Sequence, residues 1–235
     1  MAQNRRWRGI SLQRSAAWCL AVGGWDMEGV IRWFPLDRLD ELESAIAVRL
    51  REPRASRRRD AIGVALGLHG LRVGEVRRAR QTEFFAAGRS LDVRTIKKGK
   101  PRRLPLHPTL VAAMAAELSG RTVRSPLLLC SCRGRMLVAK QLQRLADEIY
   151  GAVLGAGHGL TFHSLRHTFA MRLYAETKDL FLVQRMLGHR SVRTTEVYAR
   201  SLAEIPDSCL VRVGESVIGP GQQTWPGQQL RLWEG

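Results

Sequence analysis

The sequence predicts an α+β fold, mostly helical, in which a small three-stranded antiparallel sheet packs on a helical bundle. Three observations predict it. Apolar residues recur at helical spacing in several segments between Leu39 and Leu187. From about Glu83 to Leu106 that period gives way to short strand-like runs separated by turn residues. Apolar residues make up 45% of the 235, so the chain can bury a sizeable core.

Residues 1–35 read as a basic, irregular N-terminal arm. Trp7, Trp18, Trp25 and Trp33 are scattered there among Gly and Arg, as local packing groups, with a short helix over residues 12–22. At Pro35 the pattern changes. Leu39, Leu42, Ile46 and Leu50 repeat at helical spacing, with acids early and arginines late, which suits the helix dipole. Pro53 stops this helix. A second runs from about Arg58 to Leu68 and ends at Gly70. In the following turn Arg72 and Glu75 stand three apart and share a face.

The strands come next. Phe84-Phe85 precede a turn at residues 87–89, and Leu91, Val93, Thr95 and Ile96 suit a second strand. Lys97, Lys98 and Lys100 form a basic tip, and residues 102–106 return as the third strand. A helix over residues 109–118 opens with Pro108 and stops at Gly120. Residues 127–130 read as a short strand or buried loop, and residues 133–135 as a turn. Leu142, Leu145, Ile149 and Val153 mark another amphipathic helix. Thr161 caps a helix over residues 163–175, and Asp179 caps one over residues 180–187 that ends at Gly188. Thr194 or Thr195 caps a last short helix. Residues 205–235, rich in Pro, Gly and Gln, read as a flexible tail.

Charge points to the partner. Lys and Arg number 38 against 21 Asp and Glu, a net charge of +17. That imbalance suits a polyanion, and nucleic acid is the usual one. The four cysteines, Cys19, Cys130, Cys132 and Cys209, lack a second pair at zinc-site spacing, so they are expected as free buried or half-buried thiols. No apolar run reaches the ~18–20 residues that span a bilayer. The patch at residues 16–22 is too short and too soon interrupted for a signal peptide, so a cytoplasmic protein without membrane contact is expected.

Chemistry concentrates in residues 161–198. His163 and Arg166 lie three apart on one helix, His189 follows a glycine-terminated helix, and Tyr198 comes nine positions later. That order suits attack on a phosphate. His163 and His167 also have the i, i+4 spacing of a helical zinc pair, but Ser164 stands where a zinc protease has its glutamate.

Taken together, Leu71-Arg72-Val73-Gly74-Glu75, the lysine hairpin, His163-Ser164-Leu165-Arg166-His167, Leu187-Gly188-His189 and Thr194-Thr195-Glu196-Val197-Tyr198 resemble the signature boxes of the tyrosine recombinases, the phage-integrase family. They match in order and spacing and cover about residues 36–201. The resemblance implies a catalytic domain over residues 36–204 that cuts and rejoins double-stranded DNA. It implies Tyr198 as the nucleophile that forms a 3′-phosphotyrosyl intermediate. It implies Arg72 and Arg166 as clamps on the non-bridging oxygens, with His189 as a further hydrogen bond to that phosphate. His163 is implied as acid or base near the tyrosine oxygen, and Lys97 as the acid for the leaving 5′-oxygen, with Lys98 the alternative. Glu75 is read as an orienting residue. The scheme needs no cofactor and no metal, since the cationic residues supply the positive charge. It implies four protomers acting on two duplexes.

Two other readings share these boxes. One is a non-catalytic DNA-binding relic or regulator without the helical clamp domain that most relatives carry before the catalytic part. The other is an enzyme like the type IB topoisomerases, with the same chemistry and no sequence preference.

Overall fold

The computed structural model describes residues 31–94 and 100–201. The N-terminal arm before Ile31, Lys97 and Lys98 of the hairpin tip, the tail, Cys19 and Cys209 lie outside the described residues. Among the described residues eight α-helices and one three-stranded sheet form the fold. The predicted class, mostly helical with a small antiparallel sheet on a bundle, is what the chain adopts.

Helix α1 (Leu39–Leu50) buries Leu39, Leu42 and Ile46, the face its period marked. It packs on α2 (Ala55–Leu68), which is buried on nearly every side from Arg59 to Gly67. A helix enclosed all round belongs at the centre of a domain, and α2 touches α1 and the later helices Pro108–Ser119, Ala139–Leu154 and Phe162–Thr177. It starts at Ala55, three residues before the expected start; the polar Ser56 and Arg57 gave its first turn no apolar spacing to read. At Gly67 an added Cβ would lie 2.8 Å from Leu165 and Phe162, so the missing side chain lets the helix carrying those residues approach closely. Gly70 then turns the chain at φ 89°, and the short α3 (Val73–Arg78) follows.

Strands β1 (Phe84–Phe85), β2 (Ser90–Val93) and β3 (Arg102–Pro105) pair antiparallel in the order β1-β2-β3. Leu91 faces Leu104 and Val93 faces Arg102 across the second pair. Helix α4 (Pro108–Ser119) opens with its proline, and the His107 ring accepts from Thr109 N at 3.3 Å. Residues 127–130 form a buried loop with isolated bridges from Arg80 to Leu127 and from Cys130 to Met136. Cys130 is a buried free thiol, but Cys132 is exposed, because it sits at the tip of the following turn.

Helix α5 (Ala139–Leu154) inserts Leu142, Leu145, Ala146, Ile149 and Tyr150 into the core. Helix α6 (Phe162–Thr177) begins at Thr161, whose N–H donates to Ser164 Oγ at 3.1 Å. Asp179 caps α7 (Leu180–Leu187) by accepting from Phe181 N and Leu182 N. The last helix, α8, spans Arg193–Ser201. Neither threonine is its cap, since both lie inside its first turn. Ser191 serves the end instead, its Oγ accepting from Arg193 N and its carbonyl from the Thr194 hydroxyl.

Two apolar clusters result. The large one joins α1, α2, α4, α5, the sheet and the start of α6. The second holds Ala170, Met171, Val183, Leu187 and Tyr198, with Ile31, Trp33 and Leu36 packed against it. Trp33 is thus a packing residue, as expected. No helix among the described residues is long and apolar enough to cross a membrane.

Candidate active site

The site is built on a buried carboxylate. Glu75, 3% exposed, sits in α3 and accepts from the Arg72 main-chain N–H at 2.9 Å. Its oxygens also meet Arg72 Nη1 at 3.1 Å and Arg102 Nη2 at 2.9 Å, and Arg166 Nη1 lies 3.6 Å away. Burial alone would raise its pKa. The Arg102 hydrogen bond and charge, the Arg72 N–H and the Arg166 charge outweigh that and hold it below the usual carboxylate range. One ionised glutamate therefore gathers three guanidinium groups that would otherwise repel.

Arg166, 1% exposed, is fixed by main chain. Nη1 donates to Gly70 O at 2.6 Å, and Nη2 donates to Leu187 O at 2.7 Å. These carbonyls lie just past α2 and at the last residue of α7, where helix carbonyls lack partners within their own helix. Nη2 also meets His189 Nε2 at 3.0 Å. Arginine only donates, so Nε2 must be the bare nitrogen. Nδ1 then carries the hydrogen and donates to Thr195 Oγ1 at 3.1 Å. Burial, with the charges of Arg166, Arg72 and Arg102, pulls the His189 pKa down to about 3, so its ring is neutral at pH 7.

The turn carrying His189 depends on Gly188, which terminates α7 at φ 67°. Its carbonyl accepts from Lys100 N at 3.2 Å, and a Cβ on it would lie 2.8 Å from Lys100 O. The far end of the lysine hairpin is therefore docked on the histidine turn.

Tyr198, 2% exposed, is carried by α8 into the second apolar cluster. Its hydroxyl meets His167 Nδ1 at 2.9 Å. Burial raises the Tyr198 pKa to about 12, even though the charges of Arg166 and Arg72 oppose the shift. His167 is half-buried, and desolvation, His163 and Arg166 pull it down to about 4. The exposed His163 stands edge to face with the His167 ring, centroids 4.5 Å apart. Partial desolvation and the nearby Arg166 and Arg72 charges lower its pKa as well.

Of the residues singled out in the sequence, Arg72, His163, Arg166, His189 and Tyr198 thus come together. Lys97 lies outside the described residues. Three further residues belong to the same cluster. His167 was visible as the i+4 neighbour of His163 and as the last residue of its box, without a role of its own. Thr195 was read as a cap, and its place on His189 had no signal in the chain. Arg102 had one: β3 alternates buried and exposed, which puts Arg102 on the inward face with Leu104.

Comparison with known proteins bears on the fold and the family. The family model described as the phage integrase family matches residues 37–204. A tyrosine recombinase XerA from Pyrococcus furiosus is 33% identical over 155 residues, which cover 64% of this chain and 53% of that protein. A tyrosine recombinase XerC from Proteus mirabilis is 28% identical over 179 residues, covering 72% of this chain and 57% of that one. Among solved structures, the XerH site-specific recombinase bound to a palindromic difH substrate, in its post-cleavage complex, superposes with a TM-score of 0.64. It shares 21% identity over 80% of this chain and 53% of that one, a likeness of fold. The chain spans about half the length of the relatives it matches.

Proposed function

The chain belongs to the phage integrase family, and on that footing we propose that it is a tyrosine-type site-specific DNA recombinase. It cuts duplex DNA by attack of Tyr198 on a backbone phosphate, holds the strand as a 3′-phosphotyrosyl ester, and rejoins it to a new 5′-hydroxyl. The ester conserves the energy of the broken bond, so rejoining needs no nucleotide. The observation that carries this reading is the convergence of Arg72 and Arg166 on one buried glutamate, with His189 against Arg166 and Tyr198 within the field of both arginines.

The roles follow from the groups. Arg72 and Arg166 neutralise the non-bridging oxygens, whose charge grows in the pentacoordinate state. His189 adds a hydrogen bond to the same phosphate, and His163 helps with proton movement near the tyrosine. Lys97, or Lys98 beside it, protonates the leaving 5′-oxygen. Glu75 orients the arginines. Residues 36–204 form the catalytic domain, between the basic residues 1–35 and the Pro-, Gly- and Gln-rich residues 205–235. The net charge of +17 supports DNA as the partner, with strength that falls as salt rises. Four protomers act on two duplexes, in the cytoplasm.

The test is covalent capture. Wild-type protein incubated with nicked suicide duplexes should give an adduct stable to detergent, and Tyr198→Phe should bind DNA and give none. An adduct with the Phe variant overturns the choice of nucleophile. Relaxation of any plasmid without sequence preference would favour the topoisomerase-like reading.

A further inference from the structure

The contact between Tyr198 and His167 is not used by the roles above. His163 was expected beside the tyrosine oxygen, yet the group within hydrogen-bond distance of that oxygen is His167 Nδ1, at 2.9 Å. We propose that His167 is the proton acceptor for Tyr198, taking its hydroxyl proton during strand cleavage and returning it on rejoining. The proposal rests on the reading of Tyr198 as nucleophile.

Geometry carries it. Tyr198 is almost wholly buried, so bulk water has little access to its hydroxyl. A phenol whose pKa is raised to about 12 is essentially un-ionised at pH 7, so attack needs a group that takes the proton as the new bond forms. His167 is held for that task by its place on α6, one residue after Arg166. The charged and titratable groups around it are His163 and Arg166 on its own helix, Tyr198 from α8, and His189 beyond α7. Together with desolvation, His163 and Arg166 keep His167 neutral at pH 7, the form that can accept a proton. A bound phosphate brings negative charge against Arg166 and favours the imidazolium that results.

The step balances. The Tyr198 O–H bond breaks, and its proton passes to His167 Nδ1. The phenolic oxygen bonds to phosphorus, and the bond from phosphorus to O5′ breaks. O5′ leaves with a proton from the hairpin lysine. Rejoining reverses each transfer, so His167 ends neutral.

Two measurements test it. The first needs no DNA: Tyr198→Phe should shift the ¹⁵N resonance of His167 Nδ1 in the full chain, and an unmoved resonance overturns the contact. The second uses a nicked duplex selected from a randomised pool by covalent capture on the wild-type chain. His167→Asn keeps a hydrogen-bonding group near the Nδ1 position but accepts no proton, and it should slow single-turnover adduct formation by about 10²–10⁴-fold. Its rate should rise with pH where the wild-type rate is flat. A substrate with sulfur at the 5′-bridging position, which leaves without an acid, should rescue Lys97→Ala but not His167→Asn. Failure of the wild-type chain to capture any duplex removes Tyr198 as nucleophile and the proton route with it. Capture by wild type with an equally fast His167→Asn, or rescue of that variant by the sulfur substrate, overturns the proton route alone. Matching melting curves for variant and wild type exclude misfolding as the cause of a slow rate.

Discussion

Arg102 Nη2 donates to Glu75 Oε2 at 2.9 Å, with both side chains sealed from solvent. This bond joins the sheet to the arginine site. Arg102 is the first residue of β3, just after the hairpin tip, and Glu75 also holds Arg72 at the start of α3. The hairpin and the phosphate-clamping residues therefore share one counter-charge.

Removing that counter-charge should cost more than removing one contact. Glu75→Ala leaves Arg102 and Arg166 buried without their partner, and breaking a buried pair from one side costs about 3–5 kcal/mol. Glu75→Gln keeps an acceptor without the charge and should fall between Ala and wild type. Denaturant unfolding measures both. Equal losses would mean that the charge is immaterial.

Gly188→Ala should loosen the hairpin from the histidine turn. The added Cβ meets a backbone carbonyl 2.8 Å away, at a φ of 67° that L-residues rarely adopt, for a cost of about 1–3 kcal/mol. Hydrogen exchange at Lys100 N should speed up in step. Gly151→Ala in α5 is the control. It meets nothing within 4 Å and should gain about 0.5–1 kcal/mol.

Acid should destabilise the fold through two histidines. His167 and His189 have folded pKa values of about 4 and about 3, against an ordinary 6.5. The unfolded chain therefore binds more protons throughout that window. Their contribution is complete above pH 6.5 and is lost as pH falls towards 4 and then 3. The melting temperature should drop between pH 7.5 and 5, and His167→Asn and His189→Asn should each flatten the slope. An unchanged slope in both would mean that other groups set the acid limit.

Binding of a phosphate should bring in a proton at His189. In the free protein Nε2 accepts from Arg166, and Nδ1 is engaged with Thr195. To donate to a phosphate oxygen, Nε2 must gain a hydrogen, and the anion favours that charge. Calorimetric titration of Tyr198→Phe with duplex DNA, in buffers of different ionisation enthalpy, should show uptake that His189→Asn abolishes. Equal uptake by both proteins would place the proton elsewhere.

The frame was legible because its signals are local. The spacing of Leu39, Leu42 and Ile46 marked the buried face of α1, and Gly188 marked the end of α7. The order of the boxes also marked Arg72, His163, Arg166, His189 and Tyr198 as one site, but the individual contacts within it were not legible, because they join distant segments. Nothing near His167 in the chain announces Tyr198, 31 positions away. Thr194 and Thr195 looked like caps because threonine favours that position, yet packing on His189 claims Thr195. A buried arginine such as Arg102 runs against the usual preference for surface placement, and only the strand alternation around it betrays it.

Arg166 is held by the carbonyl oxygens of Gly70 and Leu187. A main-chain carbonyl does not depend on its residue's side chain, so this anchor depends on the course of the backbone, which at Gly70 needs a φ of 89° that glycine adopts freely. Such anchoring suits a scaffold that is still recognisable by shape when about four in five aligned residues differ. It also tells a protein engineer what to leave alone: the ends of α2 and α7 must keep their course, because they set the position of Arg166.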